Sequence, residues 1–286
     1  MAHSFDSNFL KTLTVKYMAL RFRLCLAVLV FAVLVPRAQS SWPGDTLWQV
    51  EAPIAAATLD KIGQAYLVLT NGELRKYDDT GQLKAMFSRR ELGHLARVDM
   101  SDPLQPMLWY PDYQTLVFLD RALTPYHSIR LSAEVFPQPA VVALGRDNSV
   151  WVYDRYLHTL FRIDPQGRRT GASQDLSLNH TPPRDPALLV AHTDGVYLAD
   201  PATGIWYFDR LGQYRFTAPI LGVDFLQPLP DQTLLLRQNG AFFIYSGNPL
   251  EAPVALKFPV ACIALSIQGR KILAATSKKA LLLQRP

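Results

Sequence analysis

The residues of this chain that could carry chemistry are few and widely spread. Residues 41–286 hold five histidines, His94, His127, His158, His180 and His192, and one cysteine, Cys262. Zinc-type sites place their histidines at short, regular spacings, and these five show none. No HExxH, GxSxG, P-loop or CxxC pattern occurs, so there is no linear signal for a hydrolytic metal, an activated serine, a phosphate cradle or a redox pair. Cys262 sits among Val260, Ala261, Ile263 and Leu265 with no cation beside it to favour a thiolate, and reads as a buried strand cysteine. Asp112, Asp154 and Asp200 recur in similar surroundings. They could form a carboxylate arc for a cation or accept hydrogen bonds from turn amides, and a residue recurring at one place in each repeat is expected to serve the repeat. A metal site assembled from Glu, Asn and Asp on distant segments would leave no linear trace and stays open.

The elements that must position these residues emerge from self-comparison. A short segment recurs as LRKYDDTGQ from Leu74, LVFLDRALT from Leu116, LFRIDPQGR from Leu160, IWYFDRLGQ from Ile205, FFIYSGNPL from Phe242 and LLLQRP from Leu281, at steps of 37 to 45 residues. That spacing fits four short strands and their turns, one propeller blade. A second apolar strand precedes each segment (64–70, 106–112, 149–154, 195–200, 232–238 and 270–276), so each pair forms a hairpin. A further strand is expected before the pair, as in 140–146 and 260–266, and another after it, as in 82–88 and 213–219. The first strands are small and aliphatic, as strands packed around a central axis should be. The last blade runs out of chain after its third strand, while TLWQVEA (Thr46 to Ala52) has no blade of its own. The expected fold is all-β, a six-bladed β-propeller closed by an N-terminal strand, with residues 41–286 as a single propeller domain. Trp109, Trp151 and Trp206 fall inside strands and are expected in the core between blades.

DNSVWVYDRYLHTLFRIDPQGR from Asp147 resembles an NHL repeat, and TDGVYLADPATGIWYFDRLGQ from Thr193 is similar. The other blades match in strand spacing alone. The whole is also similar to a family of bacterial exported six-bladed propellers with no assigned activity, chiefly around DPLQPMLWYPDYQTLVFLD from Asp102. The resemblance implies the fold and little about function.

On a propeller the links between second and third strands share a face with the links between blades. Tyr113, Arg155, Tyr156 and His158 are therefore expected on the side that carries Arg89, Arg90, His94 and the long polar segment 170–186, which contains His180. Arg and Tyr are favoured at recognition surfaces, and long loops in compact domains are often functional. This face is the expected binding surface.

Charge and leader complete the reading. Lys11, Lys16, Arg21, Arg23 and Arg37 face only Asp6 within residues 1–40, so of the net +5 a single positive charge remains on residues 41–286, too little for nucleic-acid binding. Arg21 and Arg23 precede an apolar run from Leu24 to Val35, then Pro36 and Ala38-Gln39-Ser40, the pattern of a signal peptide cleaved after Ser40. Twelve apolar residues fall short of the ~20 needed to span a bilayer, so no stable membrane span is expected after cleavage. Met18 would give a conventional leader, which makes residues 1–17 an upstream extension. The expected protein is an exported monomer, periplasmic or extracellular, with no cofactor and no internal disulfide. It would act non-enzymatically, binding a protein or cell-envelope ligand; the alternative is a metal-assisted hydrolase or lactonase using the central funnel.

Overall fold

The computed structural model describes residues 44–229, 233–248, 251–256 and 262–285. The signal-peptide reading, with Met18 and the cleavage point, falls outside them. β1 (Asp45–Glu51) is followed by five four-stranded blades. Blade 1 is β2 (Ile54–Leu59), β3 (Ala65–Leu69), β4 (Leu74–Tyr77) and β5 (Leu83–Phe87), and blade 2 is β6 (Arg97–Asp99), β7 (Met107–Tyr110), β8 (Thr115–Leu119) and β9 (Pro125–Arg130). Blade 3 is β10 (Pro139–Leu144), β11 (Val150–Asp154), β12 (Thr159–Ile163) and β13 (Arg169–Ala172), and blade 4 is β14 (Leu188–Ala191), β15 (Gly195–Asp200), β16 (Gly204–Asp209) and β17 (Tyr214–Ala218). Blade 5 is β18 (Val223–Pro228), β19 (Leu234–Gln238), β20 (Ala241–Tyr245) and β21 (Val254–Ala255). The chain ends in β22 (Ala264–Gln268), β23 (Lys271–Ala275) and β24 (Lys279–Gln284), and β1 pairs antiparallel with β24 to complete the sixth sheet. The protein is thus an all-β six-bladed propeller in which the first and last described strands share one blade.

Burial explains the strand sequences. The middle strands of a blade are covered on both faces by neighbouring blades, so β3, β8 and β11 are buried along their whole length and read as continuous apolar runs. The outer strands β5 and β9 are mostly exposed. Six apolar clusters fill the six interfaces between blades. Trp109, Trp151 and Trp206 are buried in them, as expected from their strand positions.

Aspartates build the turns after the third strands. One carboxylate oxygen of Asp78, Asp120, Asp164 and Asp209 accepts from the amides two and four residues on, at 2.8–3.0 Å. At Gly81 and Gly212 these turns need φ near +80°, and each leaves no room for a side chain, since a Cβ would meet Trp48 at 2.9 Å and Trp151 at 2.8 Å. The tryptophan of one blade thus rests on the glycine turn of the next.

The first strands differ from expectation. That of blade 6 runs Ala264–Gln268, later than 260–266, of which residues 260 and 261 lie outside the described set. Small aliphatic residues were the expectation, yet Arg97, Asp99, Asp224 and Gln227 lie on these strands. Their first strands line a central cavity instead of meeting across the axis, so polar side chains there keep access to solvent. Some of them tie neighbouring blades together. Leu144 N donates to Asp99 Oδ2 (3.0 Å), Leu59 N to Ser266 Oγ (3.1 Å), and Gln227 bonds both Ile267 N (3.1 Å) and Ile267 O (2.7 Å).

Three outcomes follow from this architecture. Deleting residues 41–53 removes β1 and the Trp48 packing, and should give a protein that aggregates or lacks a cooperative thermal transition, whereas a chain starting at residue 41 should melt cooperatively. Asp154→Ala or Asp200→Ala, which strips buried acceptors from turn amides, should cost about 2–4 kcal/mol in chemical denaturation, with Asp154→Asn recovering part of it. Burial pushes the Cys262 thiol up to about 11. In a chain starting at residue 41, where it is the single cysteine, a disulfide reagent at pH 8 should therefore label the folded protein far more slowly than the unfolded one, because the thiolate forms only as pH rises towards that value.

Candidate functional site

The hairpin and link positions put all eight expected binding residues on one side of the ring. The link from β5 to β6 carries Arg89, Arg90 and His94, with a 3-10 turn at Arg90–Leu92. Tyr113 ends the 3-10 turn Pro111–Tyr113 between β7 and β8. These two segments are joined because His94 N donates to Asp112 Oδ2 at 2.7 Å. Asp112 therefore differs from the other two repeated aspartates: it follows its strand and holds the preceding link rather than its own turn. Arg89 Nε donates to Glu91 Oε1 at 2.9 Å, while Arg90, His94 and Tyr113 are exposed.

Blades 3 and 4 carry the second group. Asp154 is fully buried, accepting from Tyr156 N and Leu157 N through Oδ1 (2.9 Å each) and from Gln138 N through Oδ2 (2.8 Å). Asp200 does the same for Ala202 N and Thr203 N on one oxygen and Arg184 N and Asp185 N on the other. One oxygen shapes the hairpin turn and the other anchors the link from the preceding blade. Both carboxylates are saturated with amide bonds, which leaves the structural role, not a carboxylate arc. Above Asp154 stand Arg155 and Tyr156, both exposed, with Arg155 Nη1 3.7 Å from Asp185 Oδ1. His158 is half-buried, at φ +48°; its carbonyl accepts from Leu176 N and its Nδ1 has no partner. His180 is braced by Tyr214 (centroids 4.3 Å) and Trp206 (5.7 Å), yet stays exposed. The eight residues thus form two groups, one around Asp112 and one around Asp154 and Asp200.

The first-strand pattern conceals a second feature. A cavity of about 1340 Å³ runs along the axis, bounded by β2, β6, β10, β14 and β18 and by turns that join first to second strands. Lys61, Arg146 and His192 occupy three such turns, in blades 1, 3 and 4, on the end opposite the expected binding face. Burial pulls the His192 pKa below its usual value and Asp194 opposes this; Lys61 and Arg146 push it further down, so the three groups lie within electrostatic reach of one another. Deeper, Arg97 on β6 faces Asp99 at 3.9 Å, and burial lowers its pKa with Asp99 opposing. None of these residues carries a linear motif. The available signal was the pair of charges in β6, Arg97 and Asp99, where neighbouring first strands are aliphatic.

Among the described residues no three His, Cys, Asp or Glu side chains are placed to hold a metal ion. The cavity's carboxylates are engaged: Asp99 and Asp102 with amides, Asp147 with Arg162 (3.8 Å) and Asp224 with Arg237 (2.7 Å). His127 bonds Pro165 O at 2.7 Å, and Cys262 is buried, which raises its thiol pKa.

No protein-family model matches the chain, and no curated protein matches it in sequence. Its architecture is shared with many solved structures. A virginiamycin B lyase from Staphylococcus aureus aligns over 81% of this chain and 80% of its own, with 13% identity and a TM-score of 0.55. A streptogramin B lyase aligns over 83% of this chain and 98% of its own, with 10% identity and a TM-score of 0.57. BBS1N, solved in complex with ARL6DN, aligns over 78% and 75%, with 14% identity and a TM-score of 0.50. Two of these are lyases and the third was solved bound to another protein, so at such identity the likeness is one of fold, and what the chain shares with them is the β-propeller.

Proposed function

We propose that this propeller is a non-enzymatic binding module, exported to the periplasm or the extracellular space, that recognises a protein or cell-envelope ligand through the face holding Arg89, Arg90, His94, Tyr113, Arg155, Tyr156, His158 and His180. The observation that carries the reading is rigid presentation of large exposed side chains. Tyr156 is 65% exposed, Leu178 72% and Tyr113 51%. Tyr156 and the link containing Leu178 sit on backbone pinned by the buried carboxylates of Asp154 and Asp200, and the Tyr153 hydroxyl adds a bond to Pro183 O at 2.9 Å. Exposed aromatic and apolar side chains held in place lose little conformational entropy on binding, which is how recognition surfaces gain affinity. The Arg155–Asp185 pair is exposed and adds little to stability, so Arg155 can exchange this partner for one on a ligand.

The test is crosslinking in intact cells with the variant Arg89→Ala, Arg90→Ala, Arg155→Ala, Tyr156→Ala against wild type. Substitutions at such surface positions change stability by within ~0.5 kcal/mol each, so the variant should fold while partner capture falls at least fivefold. Lys84→Ala, Arg121→Ala, Arg168→Ala removes three positive charges from the opposite face and should leave capture unchanged. Equal loss from both sets, or no loss from the first, would reject the face. Export is checked separately: the mature protein should begin at Ser41.

A further inference from the structure

Arg97 is a half-buried cation, its side chain 22% exposed, with no hydrogen-bond acceptor among the described residues. A guanidinium carries five N–H donors, and buried charges in proteins are ordinarily paired and hydrogen-bonded. Among the described residues none of the Arg97 nitrogens donates to a protein atom. Its Nε is buried without a partner, and its one acidic neighbour, Asp99, lies at 3.9 Å, beyond hydrogen-bond distance. Asp99 is also occupied, accepting from Ser101 N at 3.0 Å and Leu144 N at 3.0 Å. Directly across the strand pair, Arg97 faces Trp109, whose indole Nε1 is likewise buried and unpartnered. Both residues line the axial cavity, whose walls include the apolar side chains of Ala56, Val141 and Phe225. The rim adds two more cations, since the side chains of Lys61 and Arg146 have no ion pair or hydrogen bond among the described residues. Among the described residues the cavity lining holds six Lys and Arg against four Asp, with Asp147 beside Arg162 (3.8 Å) and Asp224 beside Arg237 (2.7 Å); an excess of one sign in a low-dielectric cleft focuses the field and raises the local concentration of the opposite ion.

We propose that the axial cavity binds a small organic anion, a carboxylate or phosphate ester whose acid group is taken by the Arg97 guanidinium and whose entry is guided by Lys61 and Arg146. The planar fork of arginine matches the two oxygens of either group, and charge-assisted bonds of this kind are the strong ones. The apolar walls suit the carbon body of such a ligand. This site is separate from the loop face and stands or falls independently of it.

Titration calorimetry at low ionic strength, with citrate and with pyrophosphate as the two probes, tests the proposal. At least one should bind wild type saturably, with a shift of the Trp109 indole N–H resonance. Citrate alone binding identifies a carboxylate ligand, pyrophosphate alone a phosphorylated one. Arg97→Met matches the apolar wall and should fold, with affinity at least tenfold weaker. Arg97→Lys keeps the charge but loses the fork, and should fall between. Lys61→Ala, Arg146→Ala changes exposed turn residues, so it serves even if Arg97→Met does not fold. It should weaken binding about threefold and flatten its salt dependence. The four-residue variant of the loop face should bind both probes as wild type does. Failure of both probes to saturate wild type, or affinities indifferent to the Arg97 and rim substitutions, would overturn the site.

Discussion

Seven residues of β1 laid along β24 hold the ring shut, and every other contact in the protein presumes that closure. A blade cannot bury either of its faces alone; it needs a neighbour on both sides. In an open array the two end blades would each present an apolar sheet to water and would need capping. Here β1 completes blade 6, and Trp48 carried on it packs against Tyr77 and over Gly81 of blade 1. The same strand therefore finishes one blade and seals the interface to the next. Leu59 N donating to Ser266 Oγ repeats the tie at the inner end, so the junction is joined both near the axis and away from it.

Closure also decides where chemistry can reside. With both faces of each blade largely consumed by packing, the side chains free to meet a ligand are those at the two ends of the ring, along its axis and on the outermost strands. The two ends are built differently. At the face of the inter-blade links, buried aspartates lock each hairpin to the link beside it, giving a fixed platform from which Tyr156 and Arg155 project. At the opposite end the turn aspartates accept amides only from their own turns, and the ties to neighbouring blades come from other side chains, as where Lys76 Nζ donates to Arg121 O at 2.7 Å. A rigid surface that presents aromatic side chains suits a large partner, whereas the cationic rim of a cavity suits a small one.

How much of this was legible in the sequence follows from the range of each interaction. Strand pairs, blade spacing and the Asp-x-x-Gly turns repeat every few tens of residues, so self-comparison exposed them, and the unassigned Thr46 to Ala52 strand pointed to closure by simple counting of strands. The buried tryptophans were readable because their strand positions fixed the direction they face. The departures lie where a side chain answers to a distant partner. Asp112 resembles Asp154 in sequence and likewise anchors the preceding link, at His94 N, but the 3-10 turn after β7 leaves it without the own-turn amide bonds that Asp154 makes. His158 occupies a turn that reads as surface, yet the segment around Leu176 covers it and leaves its Nδ1 buried. The rim of the axial cavity draws Lys61, Arg146 and His192 from three blades, separated along the chain by entire repeats, and no spacing rule connects them.

Arg97 shows the same limit in reverse. Beside Asp99 in sequence it reads as half of a surface ion pair of little consequence, since residues two apart on a strand share a face. The fold gives Asp99 to the neighbouring blade, because Leu144 N donates to it, and leaves the guanidinium over the axis without an acceptor. The stability of the ring comes from the six interfaces between blades, not from its axis, so the axis is where a propeller tolerates a guanidinium with unfilled N–H donors at least cost to its fold. A group that is expensive to keep and contributes little to folding is most simply explained by what it binds, and its place on the cavity wall gives that ligand an acid-binding contact.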